Sequence, residues 1–161
     1  MALVLGIDPG TATTGFGLVR DRPDGGLELV QFGIISTPAG LSAHQRLSQL
    51  YDRLSELLLL HKPGGCAVEK LFFQNNTKTA LAVGQARGVV LLAIAQAGLD
   101  FAEFTPSEVK KAVTGYGSAG KKQVQEMVRI LLGLPDIPRP DDAADALAVA
   151  ITHLHTSRHG S

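Results

Sequence analysis

Four carboxylates stand where the chain turns from apolar to polar, and their type and spacing limit the chemistry open to them. Asp8 closes the apolar run Leu3-Val-Leu-Gly-Ile7 and is followed at once by Pro9-Gly10. Glu69 ends a second run, Cys66-Ala-Val68. Asp142 and Asp145 are three apart and so share a helix face, whereas Asp141 points about 100° away. Each acid alone has an ordinary reading. Asp8 could begin a glycine turn, Glu69 could be a solvated strand end, and the aspartate pair could complement a helix dipole. Together they differ, because three apolar elements bring acids to their ends and clustered acids repel unless cations neutralise them. Carboxylate oxygens without a Cys/His cluster suit a hard metal such as Mg²⁺ or Mn²⁺. Two such ions roughly 3.5–4 Å apart would clamp the attacking and leaving oxygens of a phosphodiester. The chain has no P-loop and no Gly-x-Ser-x-Gly elbow, and its five histidines show no zinc-ligand spacing.

The elements that must position these acids are legible in outline. Apolar runs bounded by turn residues predict strands at 2–8, 16–20, 27–36, 66–71 and 101–104. Asp24-Gly25-Gly26 is a hairpin signal between the second and third. Ser42 caps a helix reaching about Lys62, with Leu47, Leu50, Leu54, Leu57 and Leu58 in one stripe. A long helix is expected over 77–97, followed by Gly98 as its left-handed terminus. Thr105-Pro-Ser-Glu108 is a capping box with proline at the first helical position. Further helices are expected over 121–132 and 141–155. This order predicts an α/β fold: a five-stranded mixed sheet, its first strands antiparallel, with helices on both faces.

The 161 residues are 45% apolar with a mean hydropathy of +0.15. That suits one domain, expected over 1–155 with a loose tail at 156–161. Cys66 is the only cysteine, which excludes a disulfide scaffold. The apolar runs 57–60 and 89–95 fall far short of a membrane span. The first residues lead directly into a strand without a signal pattern, so a cytoplasmic protein with no membrane partner is expected. Fifteen basic and fifteen acidic residues cancel, which at face value argues against a nucleic-acid partner.

With these residues in place, the sequence resembles the RuvC family of Holliday-junction resolvases, in the ribonuclease-H-like superfamily. The matching pieces are Gly6-Ile-Asp8-Pro-Gly10 with Thr14-Gly15, Val68-Glu69 with Phe72, and Gly84-Gln-Ala-Arg-Gly88. Thr105-Pro with Val109-Lys110, Gly117-Ser-Ala with Lys121, and Asp142-Ala-Ala-Asp145-Ala-Leu-Ala follow in family order. The resemblance implies a ribonuclease-H-like fold and a bacterial homodimer that nicks two opposed strands of a four-way DNA junction. It implies Asp8, Glu69, Asp142 and Asp145 as catalytic residues and ligands of two Mg²⁺ ions, with 5′-phosphate and 3′-hydroxyl products. By the same analogy Phe72 wedges against bases, Lys110 and Lys121 sit near the scissile phosphate, part of helix 77–97 is dimer interface, and RuvA and RuvB are partners.

The residues themselves leave alternatives. Phe72 or Phe73 could belong to the core, Lys122 could be a phosphate contact or a solvated charge, and Tyr116 could stack on a base or pack. A shorter RuvC-like nuclease, an actin-like ATPase and a non-catalytic junction-binding protein are the rival readings. The ATPase would need a second domain for which the length leaves no room. Assigning four acids to metal leaves eleven against fifteen bases, so overall neutrality does not speak against DNA.

Overall fold

Strand period, more than any single motif, decides which side chains meet. The computed structural model describes residues 2–10, 12–70 and 77–159. In chain order the elements are β1 (Leu3–Asp8), β2 (Thr13–Asp21), β3 (Leu27–Ser36), α1 (Ala43–His61), β4 (Gly65–Glu69), α2 (Thr77–Gln96), β5 (Phe101–Phe104), α3 (Pro106–Thr114), α4 (Lys121–Leu132) and α5 (Asp141–His159). The sheet order is β3-β2-β1-β4-β5. β1, β2 and β3 pair antiparallel, while β4 and β5 join β1 in parallel. This is the expected mixed five-stranded sheet.

Because successive side chains alternate between faces, each central strand serves two cores. Leu5, Ile7, Phe16, Leu18, Cys66 and Val68 pack with α1 and α2 through Leu50, Leu54, Leu58, Val90 and Ile94. Val4, Val19 and Ala67 face the other way, toward α3, α4 and α5. The alternation that buries Leu5 and Ile7 under α1 and α2 therefore turns Asp8 toward α5, and Glu69 follows Ala67 in the same sense.

The α5 face of the sheet is floored by glycine. A Cβ on Gly6 would lie 2.0 Å from the Ala146 carbonyl oxygen, and one on Gly15 would lie 2.0 Å from that of Asp142. A helix backbone reaches a sheet this closely only where the facing residues lack side chains. The helix contributes small residues of its own, with Ala143, Ala146 and Ala150 fully buried. Its first turn is seated by the Pro140 carbonyl, which accepts from the N–H groups of Ala143 and Ala144 at 3.0 and 3.2 Å.

Caps and turns follow the expected chemistry. Thr105 and Glu108 form the reciprocal capping box at the start of α3. In the β2–β3 turn, Asp24 Oδ1 accepts from the Gly26 N–H at 2.8 Å, and Gly25 has φ +88°.

Three expectations change. β2 begins at Thr13 rather than Phe16, because Thr13, Thr14 and Gly15 pair with Ser36, Ile35 and Ile34; threonine and glycine hid that extension from a hydrophobicity pattern. The last helix, expected to end at His155, continues through His159, its last buried apolar contact being Leu154. Finally, Thr79–Gln96 of α2 is long and apolar enough to cross a membrane by length and composition, with mean hydropathy 1.4. Uninterrupted runs do not show this, since Gly84, Gln85, Arg87 and Gly88 end a run while the average over the segment stays apolar. The expected end of β4 at Leu71 and the two phenylalanines after it lie outside the described residues.

Candidate active site

Two elements deliver three acids to one point. β1 ends on Asp8, and the first two turns of α5 carry Asp142 and Asp145 on the face lying over the glycine floor. One carboxylate oxygen from each of Asp8, Asp142 and Asp145 lies within 4.8 Å of the others, and all three residues are half-buried. Thr13, opening β2, donates its hydroxyl to Asp142 Oδ2 at 2.8 Å and fixes that carboxylate.

The electrostatic consequence is strong. Burial pushes the Asp8 carboxyl up to about 8, reinforced by the charges of Asp145, Asp142 and Glu69 and opposed by Lys121. Burial likewise raises Asp145, with Asp141 and Asp142 adding to the effect and Lys121 working against it. Half-buried carboxylates forced together resist ionisation, and a bound cation relieves that cost. The donor set is all oxygen and anionic, which fits a hard divalent ion.

Glu69 is not in that tight trio but stands next to it. It lines a cavity of about 210 Å³ with Asp145, Lys110 and Lys121, walled by Pro106, Val109, Val124, Ala148 and Val149. Burial raises the Glu69 carboxyl, Asp145 adds to the rise, and Lys110 lowers it. The cavity thus has two carboxylates and two ammonium groups around an apolar wall.

The other expected contacts divide. Lys121 Nζ pairs with Asp141 Oδ2 at 3.0 Å, and hydrogen bonding to Asp141 raises its pKa. Lys122 points elsewhere, into an open groove it shares with Gln125, Arg139, Asp141 and Asp142. Tyr116, 69% exposed between α3 and α4, packs against no core. Phe72 lies outside the described residues.

Sequence reasoning passed over three residues that shape the site. Thr13 was hidden because β2 was begun too late; counting the two-residue alternation back from Phe16 would have found it on the far face from the α1–α2 core. Asp141 points away from the helix face that Asp142 and Asp145 share, yet it is the ion-pair partner of Lys121. Arg87 lies inside the Gly84–Gly88 motif and is the sole charge in the Thr79–Gln96 segment. It donates to the Glu69 carbonyl at 2.7 Å.

A family model described as crossover junction endodeoxyribonuclease RuvC matches residues 4–153. The chain belongs to the RuvC family. Its similarity to RuvC relatives runs nearly end to end. The crossover junction endodeoxyribonuclease RuvC of Syntrophomonas wolfei is 56% identical over 98% of this chain and 91% of its own length. That of Chloroflexus aggregans is 58% identical over 95% and 93%. Among solved structures, Thermus thermophilus RuvC matches with a TM-score of 0.92 at 38% identity, covering 98% of this chain and 96% of that one. The same RuvC solved with a Holliday-junction substrate matches with a TM-score of 0.90 at 36% identity, over 99% and 97%. The fold is therefore the ribonuclease-H-like one of RuvC. The yeast mitochondrial Holliday-junction resolvase Ydc2 shares that fold, with a TM-score of 0.71 at 13% identity over 96% of this chain and 79% of that one.

Proposed function

We propose that this chain is a Holliday-junction resolvase, a structure-selective endonuclease that nicks two opposed strands of a four-way DNA junction during recombination and repair. The observation that carries the reading is the half-buried trio of Asp8, Asp142 and Asp145, with Glu69, Lys110 and Lys121 beside it.

Asp8, Asp142 and Asp145 would hold a divalent ion, with Glu69 able to share a second with Asp145, and Mg²⁺ is the natural choice with Mn²⁺ in its place. Bound there, the metal supplies charge neutralisation of the scissile phosphate and an activated water, giving 5′-phosphate and 3′-hydroxyl ends. The chain's own groups position the substrate. Thr13 orients Asp142, while Lys110 and Lys121 meet phosphate oxygens at the cavity rim. Lys122 and Tyr116 extend that contact along the strand, and Phe72 stacks against a base at the junction.

A symmetric cut needs two sites, and α2 offers the means. Leu81, Gln85, Gly88, Leu92 and Ala95 are exposed and spaced four, three, four and three apart, the spacing of a helix-pairing seam. A second copy covering that seam accounts for the apolar face without a membrane, and it makes the functional unit a homodimer working in the cytoplasm. RuvA and RuvB belong to this reading as partners that present the junction.

The decisive experiment is metal-dependent nicking of a synthetic four-way junction. Asp8→Asn is expected to lose at least about a thousandfold in rate, a transition-state deficit of ~4 kcal/mol, while junction affinity stays within a few-fold. Cleavage that survives the substitution would remove Asp8 from the chemistry. Binding without metal-dependent cleavage by the unaltered protein would leave a junction-binding protein instead.

A further inference from the structure

We propose that Arg87 is a positioning residue for Glu69, holding the end of β4 from the opposite face of the sheet. The proposal rests on the reading of Glu69 as a site acid and adds the device that aims it.

An arginine alone in an apolar helical segment must find partners once it is buried. Only 13% of the Arg87 side chain is exposed. One guanidinium nitrogen donates to the Glu69 main-chain carbonyl at 2.7 Å. A second pairs with the carboxylate of Glu103 on β5. One planar group thus ties α2 to the ends of two adjacent parallel strands.

The end of β4 needs that tie. Its ladder with β1 runs only to the Ile7–Val68 pair, and β1 passes beyond Asp8 into Pro9, which has no N–H to offer. Toward β5 the strand is still held, by the Lys70 N–H on the Phe104 carbonyl at 2.7 Å. Arg87 supplies the donor missing on the Glu69 carbonyl. With both sides of the Glu69 peptide restrained, its side chain is directed into the cavity with Asp145 and Lys110. Lysine keeps the charge but not the fork, so it cannot reach both partners in one plane.

The test uses Arg87→Lys and Glu103→Gln in the full-length protein, with Glu69→Gln alongside. Mn²⁺ binding to the DNA-free protein is followed by electron paramagnetic resonance, together with junction nicking, junction affinity and thermal unfolding. Arg87→Lys is expected to weaken Mn²⁺ binding and slow nicking by about 10- to 100-fold, the range for groups that orient metal ligands. Junction affinity should stay within about twofold by the same reasoning, since Arg87 faces away from the cavity. Glu103→Gln, which leaves the carbonyl contact intact, should show a smaller change of the same kind. In a Glu69→Gln background, Arg87→Lys should have no further effect on Mn²⁺ affinity, because its influence passes through Glu69. Wild-type Mn²⁺ affinity and nicking in Arg87→Lys would overturn the proposal, as would full additivity with Glu69→Gln. Should Arg87→Lys not fold, Glu103→Gln decides alone, and wild-type behaviour there overturns it too. If Glu69→Gln itself binds Mn²⁺ and nicks normally, what fails is the reading of Glu69.

Discussion

Helices α5 and α2 have nearly the same length and are both rich in alanine, yet they do opposite things. α5 is enclosed: Ala143, Ala144, Ala146–Ile151 and Leu154 are buried between the sheet and helices α3 and α4. α2 meets α1 and the sheet on one side only, and just 22% of its apolar window is buried. The difference comes from the surface beneath each helix. Gly6 and Gly15 let the α5 backbone touch the strands, whereas the α2 face of the sheet presents the bulk of Ile7, Phe16 and Leu18. The acids ride on the enclosed helix, which holds them against repulsion; the open helix keeps an apolar seam for another copy.

Substitution of matched glycines breaks this comparison most sharply. Gly15→Val drives a side chain into the Asp142 carbonyl, and we expect a stability loss of about 3 kcal/mol or more by urea unfolding. Gly88 on α2 has open space at its Cβ. Gly88→Ala should therefore raise monomer stability by up to ~1 kcal/mol through helix propensity while weakening self-association. Equal effects at the two positions would mean that the packing difference has no energetic content.

Metal and pH sharpen the α5 side. Asp8 is raised to about 8 in the folded protein from an ordinary 3.8, so between those values the folded state binds more protons than the unfolded. Stability then falls as pH rises across that window. The metal-free protein should melt at progressively lower temperature from about pH 5 to pH 8. Millimolar Mg²⁺ should recover most of the loss at the upper end, and Asp8→Asn should flatten the profile. A flat profile in the unaltered, metal-free chain would contradict the strained acid cluster.

The smallest expected change belongs to the seam. Leu92, half exposed on α2, can become glutamate with monomer stability unchanged within about 0.5 kcal/mol. Sedimentation should nevertheless show the dimer dissociating at concentrations where the unaltered protein remains paired. An unaffected dimer would move the interface off this helix.

Much of this architecture was legible because local rules wrote it. The strand alternation around Gly6 and Ile7, the Thr105–Glu108 capping box and the turn at Asp24–Gly26 each depend on neighbours in the chain. Among the described residues, the five strands and five helices overlap the ranges those signals predict. The errors sit where local signals fade. The start of β2 runs through Thr13 and Gly15, whose small or polar side chains carry no hydrophobic pattern, and α5 continues past its last buried leucine. Arg87 gave a signal in its isolation, but a lone charge names no partner.

What the sequence by itself determined was the inventory: four acids at the ends of apolar elements, lysines downstream, a mixed sheet and the family resemblance. The tertiary structure decided the groupings. Asp8, Asp142 and Asp145 form the tight trio while Glu69 stands beside Asp145 with Lys110 and Lys121, and Lys121 turns to Asp141. Those choices depend on how closely α5 can approach β1 and β2. That approach is set by the absence of side chains on glycines more than 120 residues away in the chain, a long-range fact that no local pattern contains.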